Sequence, residues 1–218
     1  MINFNHATKY FNTKNGKKYI LNDVSLSIKE GKNIAILGKN GAGKTTFLKL
    51  LGGVEYLNSG TIKCNKKFSW PMGFSGGFQG SMTGFQNVKF VSRIYGKSEE
   101  EIKNIVEFVK EFSDIGDYFY MPFKTYSSGM RGRLSFGLSL AFDFDYLLVD
   151  EALSVGDPSF NKKAKDAIFE KVKTSNTILV SHNVSVVREI CNVGIFLKDG
   201  ELKYFENIEE AINCYLNQ

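Results

Sequence analysis

The sequence predicts an α/β fold on a mostly parallel sheet, with an antiparallel β lobe before it and a helical sub-lobe within it. Two β-favouring runs, INF near Ile2 and YILNDVSLSI from Tyr19 to Ile28, flank a polar turn containing Asn15-Gly16, which is the pattern of a hairpin. Short apolar segments then alternate with helix-spaced ones: NIAIL (Asn33 to Leu37), YLLVD (Tyr146 to Asp150) and TILVS (Thr177 to Ser181). Such alternation belongs to parallel sheets covered on both faces by helices. Between the first two of these strands, Phe85 to about Ala141 reads as helix almost throughout.

Each element has its own local reason. From Gly43 onward, Phe47, Leu48, Leu50 and Leu51 fall at helical spacing, so strand, glycine loop and helix follow one another. In the helical stretch, Ser98 with Glu101 three residues on forms a capping box ahead of EEEIKNIVEFVKEF. SGMRGRLSFGLSLAF closes that stretch. A helix near Asn161 to Lys173, a further helix and strand reaching Leu197, and a last helix from Ile208 to Leu216 complete the chain. We expect one domain over residues 1–218, with the helical sub-lobe at about 84–141.

Composition narrows the class. Of 218 residues, 43% are hydrophobic and 23% charged, which fits a globular protein with a real core and excludes disordered or fibrous chains. The net charge of +5 is spread over lysines such as Lys17, Lys18, Lys66, Lys67, Lys162 and Lys163. With no run of five like charges, they read as solvated surface and no nucleic-acid partner is expected. Cys64, Cys191 and Cys214 form no C-x-x-C pair, so neither zinc nor a disulfide framework is indicated. The N-terminus MINFNHATKYF lacks the pattern of a signal peptide, and no stretch approaches 18 apolar residues.

Chemistry enters at Gly38-Lys39-Asn40-Gly41-Ala42-Gly43-Lys44-Thr45. This is G-x-x-x-x-G-K-[ST] between a strand and a helix, the setting of a phosphate-binding P-loop. Its glycines let backbone N–H groups close on phosphates, and the helix that follows, with Thr46 in its first turn, presents its positive end. Lys44 is placed to meet the β- and γ-phosphates of ATP, and the Thr45 hydroxyl to bind Mg²⁺. The apolar strand ending in Asp150-Glu151 supplies a second Mg²⁺ partner, Asp150, and a general base for the attacking water, Glu151.

Tyr126-Ser127-Ser128-Gly129-Met130, some twenty residues before Asp150, resembles the L-S-G-G-Q signature of ABC ATPases, and other elements of that family follow in order. Gln79 stands at the Q-loop position, Ser154-Val155-Gly156-Asp157 at the D-loop and His182 at the switch position. The resemblance spans essentially the whole chain. It implies a P-loop NTPase with a RecA-like sheet, and a homodimer in which Ser127, Ser128 and Gly129 of one copy face the γ-phosphate held by the other. It also implies that His182 touches that phosphate, that Gln79 reaches Mg²⁺ or the attacking water, and that Asp157 lies at the nucleotide. An aromatic residue near the N-terminus stacks on adenine in this family; alignment gives Phe11, with Tyr10 adjacent. Ser128 and Met130 depart from the usual glycine and glutamine, which leaves backbone donors intact and puts the hydrolysis rate in question.

Within the family, SWPMGFSGGFQGSMTGFQNVKF (Ser69 to Phe90), Y-S-S-G-M-R and V-D-E-A-L-S-V-G-D resemble the ATP-binding proteins of capsular polysaccharide export. That resemblance implies a peripheral subunit at the cytoplasmic face of the inner membrane, paired with a permease dimer and envelope-spanning partners, exporting a lipid-linked glycan. O-antigen and teichoic-acid exporters share the Tyr-Ser-Ser-Gly-Met signature, and the chain's stop at Gln218, without an extension, favours the capsule branch. Soluble ABC ATPases acting on DNA or ribosomes are the rival, yet they usually carry paired nucleotide domains or a long coiled coil. The glycines around Gln79 read as a hinge, allowing backbone angles that other residues resist.

Overall fold

The computed structural model describes residues 1–72, 77–150 and 158–217. The chain forms two compact units, one from Met1–Pro71, Phe144–Glu151 and Val172–Gln218, the other from Met72–Asp143 and Ala152–Lys171.

The first unit holds both sheets. Strands β1 (Ile2–Thr13) and β2 (Gly16–Ile28) form the expected hairpin, and β4 (Ser59–Lys63) joins on the far side of β1 to give the antiparallel order β2-β1-β4. The second sheet comprises β3 (Ile34–Leu37), β5 (Tyr146–Asp150), β6 (Asn176–Val180), β7 (Val193–Lys198) and β8 (Glu201–Phe205). Its order is β5-β6-β3-β7-β8, parallel except for the last pair. Central β3 is apolar and buried along its whole length, and β6 and β7 bury all but one end residue each, because both faces are covered. Helices α1 (Lys44–Leu51), α6 (Val184–Ile190) and α7 (Ile208–Leu216) belong to this unit. Phe47 and Leu48 of α1 are fully buried, and Phe47 stacks on Phe4 with centroids 5.7 Å apart. One core therefore ties the hairpin, α1 and the parallel sheet together.

The second unit is helical: α2 (Gly84–Ile94), α3 (Glu99–Ser113), α4 (Ser128–Ala141) and α5 (Pro158–Val172). Ser98 and Glu101 close the anticipated capping box, and Thr83 with Gln86 closes another at the start of α2. Phe112 of α3 stacks on Phe136 of α4 at 5.8 Å, and Phe160 of α5 meets both rings edge-on. Lys163 of α5 donates to the carbonyls of Glu111 and Phe112, satisfying the C-terminal end of α3. The helical sub-lobe expected at about 84–141 thus begins earlier, at Met72, and recruits α5 from later in the chain. Among the described residues, no helix is long and apolar enough to cross a membrane.

Candidate functional site

Register brings the site's elements to one edge. Val180 of β6 pairs with Ile36 of β3 on one side and with Asp150 of β5 on the other. The glycine loop, His182 and Asp150 therefore all stand at the carboxyl ends of adjacent parallel strands, where open α/β sheets bind ligands. Gly43 starts α1 with φ 103°, and a Cβ there would stand 2.7 Å from the Ile20 side chain. A Cβ on Gly38 would approach the Leu197 carbonyl to 2.4 Å. Only glycine fits the loop at these two positions, so the chain can wind closely enough to present its N–H groups.

A cleft of about 350 Å³ opens at this edge, lined by Asn40, Gly41, Gly43, Lys44, Thr45 and Thr46 of the loop and helix, with Phe11, Lys18, Ile20, Asp150 and Val180. Lys44 is only 8% exposed, and its Nζ donates to the Gly38 carbonyl at 2.8 Å and the Lys39 carbonyl at 3.1 Å. An ammonium held this way over its own loop can exchange those carbonyls for phosphate oxygens. Thr45 and Asp150 add a hydroxyl and a carboxylate to the same cleft. Among the described residues, no cluster of three or more His, Cys, Asp or Glu could hold a metal on its own. Two hard oxygen donors beside a phosphate site are the chemistry that suits Mg²⁺, which takes few protein ligands and completes its shell with phosphate and water.

Phe11 lines the cleft, 41% exposed. Tyr10 packs elsewhere, its ring 5.5 Å from Tyr19 and 4.1 Å from the Lys17 ammonium. The Lys9 ammonium lies 4.7 Å from the Phe11 ring centroid. Lys9 itself is 6% exposed and donates to Glu55 Oε1 and the Tyr56 carbonyl, both at 2.8 Å. Its hydrogen bond, with one from the Tyr56 N–H, holds the Glu55 carboxyl below the ordinary range. Lys18, expected as plain surface, is on the cleft wall, cross-strand from Phe11 and 3.6 Å from where a Gly41 Cβ would be. Motif reading misses it because a lone strand lysine carries no pattern; hairpin register opposite Phe11 is the signal that finds it.

His182 follows β6, and its Nδ1 is 2.9 Å from the Tyr215 hydroxyl of α7. Glu151 and Asp157 lie outside the described residues. Gln79, Ser127, Ser128 and Gly129 belong to the helical unit. There Ser127 caps α4, its Oγ accepting from the Met130 N–H at 3.2 Å. Ser127 and Ser128 are exposed, and among the described residues a Cβ on Gly129 would meet nothing nearer than Ser127 Oγ at 3.9 Å.

Gln79 is tied down by a residue the motifs pass over. Asn87 of α2 is completely buried; its Oδ1 accepts from the Gln79 N–H at 2.8 Å and its Nδ2 lies within reach of the Gln79, Met82 and Thr83 carbonyls. Of the glycines expected to act as a hinge, Gly73 and Gly76 lie outside the described residues, and Gly77, Gly80 and Gly84 are not in the left-handed region. Gly84 supplies space: a Cβ there would sit 2.3 Å from the Tyr126 hydroxyl, which donates to the Tyr118 carbonyl at 2.6 Å.

A P-loop at the edge of a RecA-like sheet, with a serine-glycine helix start in a helical unit, defines a cassette ATPase fold, and the family model for ABC transporters matches residues 21–154. The chain belongs to the ABC transporter family. It is 49% identical, over 99% of its length and 98% of the relative's, to the polysialic acid transport ATP-binding protein KpsT of Escherichia coli. The capsule polysaccharide export ATP-binding protein CtrD of Neisseria meningitidis serogroup B is 44% identical over 99% of this chain and 98% of its own. The teichoic acids export ATP-binding protein TagH of Bacillus anthracis is 36% identical over 98% of this chain and 42% of its own length. Among solved structures, the dimeric ATP-binding cassette MJ0796 bound to ADP and Pi shares the fold, with a TM-score of 0.72, 22% identity and coverage of 95% and 99% of the two chains.

Proposed function

We propose that the chain is the ATP-hydrolysing subunit of an ABC exporter that moves a lipid-linked capsular polysaccharide across the inner membrane. The observation that carries this reading is identity of 44–49%, over nearly the full length of both chains, to ATP-binding proteins named for polysialic acid and capsule export. The 36% identity to a teichoic acid exporter makes that glycan the second reading.

In this mechanism ATP lies in the first unit's cleft, its adenine stacked on Phe11 and its phosphates wrapped by residues 38 to 46. Lys44 exchanges the Gly38 and Lys39 carbonyls for the β- and γ-phosphates. Thr45, Asp150 and Gln79 would hold Mg²⁺, which neutralises charge on the phosphates when bound. Glu151 takes the proton of the attacking water, and His182 donates to the terminal phosphate. Ser127, Ser128 and Gly129 of a second copy complete the site, with Asp157 near the shared nucleotide. Because those contacts exist only in the closed dimer, ATP shifts the pair toward closure and hydrolysis releases it. A permease dimer at the cytoplasmic face, with envelope-spanning partners, turns that cycle into export.

The test is genetic. Deleting the gene is expected to leave capsular glycan inside the cell, and the wild-type gene, but not Lys44→Ala, is expected to return it to the surface. Normal surface capsule in the deletion strain, with wall or O-antigen glycan lost instead, overturns the substrate assignment.

A further inference from the structure

The last helix reaches back to the site. Three attachments fix α7 against the parallel sheet. Its Ala211 and Ile212 are fully buried, and Ala211 lies so close to Gly194 of β7 that a Cβ on that glycine would be 2.2 Å from its own. Arg188 of α6 grips Glu209 with a fork, Nε to Oε1 at 2.9 Å and Nη2 to Oε2 at 3.0 Å, the strong form of a charge-assisted pair. Asn207 caps the helix, and the Ile208 N–H donates to the Asn192 carbonyl. Tyr215 is four residues beyond Ala211, on the same helical face. The half-buried phenol is thereby delivered to the edge where β6 ends, 2.9 Å from Nδ1 of His182.

That hydrogen bond can run in two directions, and only one serves a phosphate. If a neutral imidazole donates its Nδ1–H to the phenol oxygen, Nε2 carries a lone pair that repels a phosphate oxygen. If the phenol O–H donates to Nδ1, the proton resides on Nε2, which can then donate to the phosphate. We propose that Tyr215 is a positioning residue whose hydroxyl donates to Nδ1 of His182 and holds it in the tautomer that presents Nε2–H to the terminal phosphate of ATP. This rests on the reading of His182 as the phosphate contact. The hydroxyl is not needed to dock α7, since the Ala211 packing and the Arg188–Glu209 fork already do so.

The experiment uses the full chain as wild type, Tyr215→Phe, His182→Ala and the double variant, with Mg·ATP turnover and His-selective ¹⁵N NMR. The chain has two histidines, and His6 adopts a left-handed φ of 48° that asparagine tolerates; a His6→Asn background therefore isolates the His182 signals. Tyr215→Phe is expected to lower kcat about 3- to 10-fold, the worth of one ordinary hydrogen bond, with KM for ATP and thermal stability unchanged. The double variant should match His182→Ala, and the ATP-bound wild type should show the proton on Nε2 with a hydrogen-bonded Nδ1 whose resonance moves in Tyr215→Phe. Unchanged turnover in Tyr215→Phe while His182→Ala is crippled overturns the positioning role and leaves the histidine's role standing. Full activity of His182→Ala overturns the underlying reading of the site. A proton on Nδ1 in the ATP-bound wild type overturns the proposed direction of the bond even should Tyr215→Phe fail to fold.

Discussion

Lys44 of the first unit is 8% exposed and held between two carbonyls of its own loop, whereas Ser127 and Ser128 of the helical unit stand exposed at the start of α4. The cleft residues converge on a volume that one chain encloses by itself. Among the described residues, the side-chain contact of an added Cβ on Gly129 is Ser127 Oγ at 3.9 Å, an ordinary van der Waals distance. The difference teaches where each region's chemistry is spent. The cleft gathers the phosphate-loop residues in one chain, and in the proposed dimer the exposed start of α4 turns its backbone donors to the other copy's nucleotide.

Substitutions that separate binding from turnover sharpen this contrast. A Cβ on Gly129 meets no clash among the described residues, so for Gly129→Asp thermal stability and ATP affinity measured on the isolated protein are expected to hold. Its turnover should fall about 10²- to 10³-fold, because the added carboxylate repels the partner-held phosphate and keeps the backbone donors from a charge-developing site. Reduced ATP affinity with the same fall would place Gly129 in the binding half and break the comparison. Lys44→Ala is expected to act on binding as well, weakening ATP affinity roughly 10- to 150-fold through loss of a charged hydrogen bond, as read by fluorescent-nucleotide titration.

Two smaller effects follow the same division. Phe11→Ala should cost about 1–3 kcal/mol of ATP binding, the worth of base stacking, while Phe11→Tyr and Tyr10→Ala bind ATP nearly as wild type; equal losses at Phe11 and Tyr10 would contradict the cleft geometry. Asn87→Ala strips the buried clamp on Gln79 and should lower stability by about 1–3 kcal/mol. Its melting temperature is expected to fall with little change in ATP affinity, because the residue supports the helical unit alone.

Much of this was readable from local pattern. The P-loop, the strand ending in Asp150, the capping box at Ser98 and the hairpin depend on neighbours within a few residues, where spacing and chemistry coincide. Strands β4 and β8 were not readable: SGTIK and ELKYF bury none of their residues fully, and no apolar run marks them. The recruitment of α5 rests on Phe160 meeting Phe112 and Phe136, a partnership across distant segments that periodicity does not encode. Lys18, Asn87 and Tyr215 escaped for the same reason. Each owes its place to strand register or helix packing that brings remote residues together, and no local motif contains any of them.

The central claim, that ATP joins two copies through one chain's loop and the other's serine-glycine helix start, is tested most directly by light scattering of Glu151→Gln with and without Mg·ATP. The account predicts a monomer without nucleotide, a stable dimer with ATP, dissociation when Gly129→Asp is added, and little hydrolysis throughout. A Glu151→Gln protein that hydrolyses ATP at the wild-type rate, or stays monomeric with ATP bound, would contradict it.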